Sequence, residues 1–381
     1  MKVVVAIDSL KGSLSSIEAG NAIAQGIKRV DDSIDICVRP LADGGEGTVE
    51  ALVEGMQGQY QKVLVKGPLG NEIEASYGFI KGSNTAVIEM SSAAGITLIR
   101  EEERNPLHTT TYGVGQMIKD AIDKGCRRFI IGIGGSATND CGIGMLQALG
   151  YEFLDVKGEQ VEFGAQGLSS IVRIEEEHVV PELKECTFQV ACDVTNPLCG
   201  ELGCSAVYGP QKGATDEMIK DMDAWMLQFD MLAKKKYQKA DRKAPGTGAA
   251  GGLGYAFLTF TNAVLESGIQ IVLKETRLEE EIRSSDLVIT GEGRLDGQTA
   301  MGKAPIGVAK LAKKYKKFVL AFAGCVTEEA KKCNEEGIDA FFPILRRATT
   351  LEQAMDPDNA RNNMMDAVEQ VFRLICCSSE V

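Results

Sequence analysis

Residues 286–323 read DLVITGEGRLDGQTAMGKAPIGVAKLAKKYKKFVLAFA. Asp286 to Thr290 is a short apolar run of strand type, and it leads into the glycines Gly291, Gly293 and Gly297. Ala304 to Lys314 reads as a helix, and Phe318 to Ala323 is a second apolar strand. A strand, a glycine-rich loop, a helix and another strand in succession form the repeating unit of a parallel sheet covered by helices on both faces.

The same alternation continues outward from this stretch. Toward the C-terminus, Glu328–Glu335 reads as a helix, Ala340–Ile344 as a short strand and Asn362–Ile375 as a final helix. At the N-terminus, Lys2–Ile7 is an apolar strand. Ser15–Val30 is a helix with Ile17, Ile23 and Ile27 on one face and Ser15 or Ser16 as its cap. Ile34–Val38 is a strand and Thr48–Met56 a helix.

The middle of the chain has a different character. Lys62–Met90 is β-rich, with a hairpin turn at Pro68-Leu69-Gly70-Asn71. Tyr112–Asp123, Cys141–Leu149, Asp216–Lys239 and Ala256–Ser267 read as helices, and Phe129–Ile133 and Thr187–Cys192 as strands. The expected fold class is therefore α/β: a Rossmann-like parallel-sheet domain from 1–61 and 285–381, with a second α/β domain, 62–284, inserted in it. The active site is expected in the cleft between them, a common place for a ligand.

Bulk composition narrows the function classes. The chain has 381 residues and a net charge of −13, so nucleic acid and anionic membrane, which need a cationic surface, are excluded as main partners. Val3–Ile7 is too short for a signal-peptide core and no apolar stretch approaches a membrane span, so the expected location is cytoplasmic. The eleven cysteines form no C-x-x-C, and Cys186, Cys192, Cys199 and Cys204 have no histidine beside them, which argues against structural zinc. Only His108 and His178 are present, so an enzyme here must draw its base and charge clamps from Asp, Glu, Lys and Arg.

The glycines cluster in polar loops at strand ends, where ligands of open α/β sheets bind. Gly132-Ile-Gly-Gly-Ser-Ala-Thr-Asn-Asp140 follows a strand and precedes a helix, a place where backbone N–H groups can hold an anion. Gly297-x-x-x-x-Gly302-Lys303 approaches a phosphate loop, but Ala304 stands where Ser or Thr would hold Mg²⁺. A P-loop fold is therefore rejected, and Lys303 remains a phosphate candidate. Asp8-Ser-Leu-Lys-Gly-Ser13 offers Lys11 and the Ser9 and Ser13 hydroxyls. Pro40-Leu-Ala-Asp-Gly-Gly-Glu-Gly-Thr48 offers Asp43 and Glu46 for metal or hydroxyls. Cys192-Asp-Val-Thr-Asn-Pro-Leu198 supplies Asp193, a candidate base or metal ligand, and Asn196. Tyr208-Gly-Pro-Gln-Lys-Gly-Ala214 adds Lys212, and Pro245–Gly254 is either a close-packing turn or a phosphate cradle.

Taken together, DSLKGSLS, PLADGGEGT, EMSSAAG, IGIGGSATND, CDVTNPL, YGPQKGA, PGTGAAGGLG and DLVITGEGRLDGQTAMGKAP resemble the bacterial glycerate kinase family, over residues 8–305 and in the family's order. Leu10 and Cys141 depart from it, standing where phenylalanine and glycine are expected. The resemblance implies ATP and Mg²⁺ as cofactors, D-glycerate as substrate and 2-phosphoglycerate as product. It admits a homodimer without requiring one.

On that basis Gly134, Gly135, Ser136, Thr138 and Lys303 are expected to bind the nucleotide. Asp193, Lys11 and Arg294 are expected to be catalytic, and Asp193, Glu292 and Asp296 to hold the metal. Ser9, Asp43, Glu46, Asn196 and Lys212 are expected to meet the substrate. Gly132-x-Gly134-x-x-Ala137 leaves open a nicotinamide-dependent oxidoreductase, with Glu152 or Asp155 on the ribose. A non-catalytic nucleotide or sugar-acid sensor is a third reading, and it leaves the charged residues at the strand ends without a purpose.

Overall fold

The computed structural model describes residues 1–42 and 47–378. Along the chain the strands are β1 (Lys2–Ile7), β2 (Asp35–Pro40), β3 (Gln59–Lys66), β4 (Glu72–Ile80), β5 (Thr85–Glu89), β6 (Arg128–Gly132) and β7 (Glu152–Leu154). They continue with β8 (Arg173–Glu175), β9 (Thr187–Ala191), β10 (Ala263–Glu266), β11 (Leu287–Leu295), β12 (Phe318–Val326) and β13 (Ala340–Pro343). The described residues fall into two compact units, 1–42 with 50–56 and 269–378, and 47–49 with 57–268.

The first unit carries a five-stranded sheet in the order β13-β12-β11-β1-β2, with every pairing parallel. Numbered within the unit this is the doubly wound order 2-1-3-4-5. Its direction of winding reverses between β1 and β11, and that switch point is where such sheets open a crevice for a ligand. The central strands carry apolar runs because both faces are covered: Val3, Val5, Ile7, Ile289 and Phe322 are buried in one core with Ile23, Ile27, Met364 and Phe372.

The helix Ser16–Lys28 is fixed at its start by a capping box. The Ser15 hydroxyl accepts the Glu18 N–H at 3.3 Å, and the Glu18 carboxylate accepts the Ser15 N–H at 2.9 Å. This helix packs on Pro357–Ser378 so closely that a Cβ on Gly26 would lie 2.6 Å from the Met365 carbonyl oxygen.

Two sequence expectations change here. The strand beginning near Asp286 does not stop at Gly291 but continues to Leu295, paired with β12 as far as Leu295↔Val326. Glycine is what permits this: a Cβ on Gly291 would sit 1.8 Å from the Phe322 carbonyl oxygen. Glu292 and Arg294 therefore lie on an extended strand two residues apart and share one face.

The second unit has a six-stranded sheet, β10-β9-β6-β5-β4-β3. β5, β6, β9 and β10 run parallel, while β3 and β4 form an antiparallel hairpin at its edge. The hairpin turns at Pro68–Asn71, where Gly70 has φ 81°. The core is aromatic, with Phe129 stacked on Phe188, and Phe153 edge-on to Phe229 and Phe260, which stack on each other.

The second change is in Ala256–Ser267, which is not one helix. A helix over Ala249–Phe260 ends where Thr261 turns extended, and Ala263–Glu266 becomes β10 against β9. The apolar run Ala-Val-Leu fits either period, and pairing with Phe188–Ala191 decides it. The start of that helix, with Ala250, Gly251 and Gly252 at positive φ, is the close-packing turn: a Cβ on Gly251 would lie 2.1 Å from the Thr138 carbonyl oxygen.

Candidate functional site

In the first unit, the loop after β1 and the far end of β11 border a cavity of about 450 Å³ at the switch point. Three cationic side chains, Lys11, Arg294 and Lys303, and three carboxylates, Asp8, Glu292 and Asp296, line it together with Ser9 and Ser13. Alternation along β11 aims Glu292 and Arg294 the same way, and Asp296 follows two residues on.

Glu292 is buried. Its Oε1 accepts the Thr299 hydroxyl at 2.6 Å, and its Oε2 stands 4.0 Å from Lys303 Nζ. Asp296 caps the turn Gly297–Ala300, accepting the Gln298 N–H at 2.9 Å and the Thr299 N–H at 3.2 Å. Burial opposes its charge. Those two N–H groups, with Lys303 and Arg294, outweigh it and hold the carboxyl below its ordinary range. Lys303 is the cap residue of the helix Ala304–Lys314, with Pro305 in its first turn.

Asp8 is the site residue that sequence reasoning passed over. It is buried at the end of β1, its backbone N–H donates to the Gly291 carbonyl at 2.9 Å, and its Oδ1 accepts the Ser9 N–H at 2.7 Å. The signal was there: an acid directly after a wholly apolar strand.

In the second unit, the glycine-rich loop after β6 is held from several sides. The Ile96 N–H donates to the Gly135 carbonyl, the Ala137 N–H to Ala94, and the Cys141 N–H to Gly251. Gly134 and Gly135 are exposed, and Ser136 is buried beside them. Thr138 has no exposed surface; its carbonyl oxygen accepts Lys212 Nζ at 2.6 Å, while its hydroxyl is buried without a partner.

Lys212 also donates to the Ser136 hydroxyl at 2.8 Å. Burial lowers its pKa to about 8, against the pull of Cys204 and Asp140. The geometry thus makes Lys212 a strut beneath the loop.

Asp140 occupies the position that an anion would take at the start of the helix Ile143–Ala148. Its carboxylate accepts the Thr111 N–H and hydroxyl, each at 2.8 Å, and the Gly142 and Gly144 N–H groups at 3.0 and 3.3 Å. The pyrophosphate of a dinucleotide has no place there, which removes the oxidoreductase reading.

Asp193 is exposed just beyond β9, and its Oδ1 accepts the Gly268 N–H at 3.3 Å. Asn196 is engaged at both ends of its amide, donating to the Leu202 carbonyl at 2.9 Å and accepting the Tyr208 hydroxyl at 2.8 Å. Asp43 and Glu46 lie outside the described residues. A larger cavity in this unit, about 760 Å³ and lined by Tyr151, Tyr237, Phe260 and Lys236, borders none of the expected site residues. Among the described residues no group of three or more His, Cys, Asp or Glu converges to hold a metal ion, and no helix is long and apolar enough to cross a membrane.

The glycerate kinase family model matches residues 3–376. A protein of Haemophilus influenzae named glycerate kinase is 46% identical over 98% of this chain and 99% of its own. One of Escherichia coli K12 named glycerate 2-kinase is 46% identical over 93% of each. A crystal structure from Salmonella typhimurium LT2, whose protein carries provisionally the name glycerate kinase 2, superposes with a TM-score of 0.92 at 43% identity and full coverage of both chains. The class is therefore an α/β kinase. The chain belongs to the glycerate kinase family.

Proposed function

We propose that this chain transfers the γ-phosphate of ATP to the 2-hydroxyl of D-glycerate, giving 2-phosphoglycerate. The observation that carries the reading is the switch-point cavity with its three cations and three carboxylates. Phosphoryl transfer needs positioning and charge neutralisation rather than covalent help, and this lining offers both. Lys11, Arg294 and Lys303 supply positive charge for phosphate oxygens.

Glu292 and Asp296 are hard oxygen donors on one cavity and would supply the one or two carboxylates through which Mg²⁺ binds, with water and phosphate completing its shell. The metal would draw charge from the phosphates. Asp193, an exposed carboxylate at a strand end, is proposed to accept the proton of the attacking hydroxyl. The exposed Gly134 and Gly135 backbone, with Ser136, is proposed to bind an anionic group of a substrate, with Lys212 supporting the loop from below.

Phosphorus NMR of the product tests the position of transfer. A 2-phosphoglycerate signal is expected, and a 3-phosphoglycerate signal overturns the assignment of the hydroxyl.

A further inference from the structure

Beside its charged residues, the switch-point cavity has an apolar wall. Leu10, Ile344, Leu345, Leu351 and Met355 line it. The wall is continuous with the charged loop after β1: a Cβ on Gly12 would lie 2.7 Å from Met355 Cε. Leu351 is 78% exposed, a large apolar side chain facing solvent at the cavity.

A short hydroxy acid has no apolar face to lay on such a wall, and it would fill only a fraction of about 450 Å³. A nucleotide has both parts. Its base is a flat, largely apolar ring, and its phosphates carry the charge that Lys11, Arg294 and Lys303 match. In sheets of the order 2-1-3-4-5 the crevice beyond the first and third strands suits a mononucleotide, and here those strands are β1 and β11.

We propose that this cavity is the nucleotide subsite, with the base against Leu10, Ile344, Leu345, Leu351 and Met355 and the phosphates on Lys11, Arg294 and Lys303. The inference rests on the phosphotransfer reading and adds to it which of the two substrates this unit takes. The phosphate ligands then come from this unit.

The cavity contains its own reporter. Cys325 is an exposed free thiol on its lining, while the exposed Cys377 lies outside that lining and serves as an internal reference. Alkylation of the intact protein is followed at each thiol by peptide mass spectrometry, with Mg·ATP or D-glycerate added separately. Mg·ATP should slow the reaction of Cys325 about tenfold at ten times its dissociation constant, leave Cys377 unchanged, and D-glycerate should do neither.

In parallel, Leu351→Ser should raise the KM for ATP about tenfold, the loss of one buried leucine contact, and leave the KM for glycerate as it was. Protection of Cys325 by glycerate and not by ATP overturns the proposal, as does protection by neither in an enzyme that turns over. Protection by ATP in a protein that fails to phosphorylate glycerate upholds the nucleotide subsite and overturns the acceptor instead.

Discussion

At the scale of single residues, two side chains carry sharp expectations. Asp193→Asn should lower kcat by about 10²- to 10⁴-fold with little change in either KM, the usual contribution of a positioned base. Steady-state kinetics check this, and an unchanged kcat reduces Asp193 to a cap on the Gly268 N–H. Lys212 is different because it is buried, with its pKa lowered to about 8. Between that value and its ordinary 10.5 the unfolded chain binds a proton that the folded chain does not, so folding stability gains from this residue as pH rises. Below the folded pKa the gain is absent. The stability of wild type minus that of Lys212→Met should therefore climb between about pH 8 and 10.5, by roughly 3 kcal/mol at most. Urea unfolding of both proteins across that range measures it, and a flat difference would mean that the ammonium is not desolvated.

At the scale of elements, glycine and capping set the boundaries. Gly291→Ala forces a Cβ into the Phe322 carbonyl, 1.8 Å away across the β11–β12 pair. It should destabilise by about 3 kcal/mol and disturb Glu292 and Arg294 on the same strand; thermal unfolding and the KM for ATP together report it. Ser15→Ala removes one half of the capping box at Ser16–Lys28 and should cost about 1 kcal/mol.

The strands with continuous apolar runs were legible in the sequence, β1 and the first half of β11 above all, because both faces of each are buried. The second half of β11 was not. Gly-Glu-Gly-Arg reads as a turn, and only its pairing with β12 makes it strand. β10 was lost for a related reason: Ala263–Glu266 is short and apolar, and its partner Phe188–Ala191 is distant in sequence.

At the scale of the whole molecule, the parallel α/β class followed from alternation, whereas the sheet orders did not. The order 2-1-3-4-5 depends on β1 pairing with β11 across most of the chain, and no local pattern encodes that. The site was legible in part. Lys11, Glu292, Arg294, Asp296 and Lys303 do line one cavity: Lys11 follows the carboxyl end of β1, Glu292, Arg294 and Asp296 stand toward or just beyond that of β11, and Lys303 caps the helix Ala304–Lys314. Asp8 was hidden by its place against the strand. That Thr138 and Lys212 are buried beneath the loop was not legible, because polarity is visible in a sequence and burial is not. Chelation should abolish turnover and leave the fold intact by circular dichroism, since no described cluster of three or more His, Cys, Asp or Glu makes the structure depend on a metal.

The most direct measurement is ADP release with Mg·ATP in the presence of D-glycerate, L-glycerate or no acid. Release that depends on D-glycerate and far exceeds the other two is the predicted result. ADP release indifferent to D-glycerate, from protein that still binds ATP, would contradict the account.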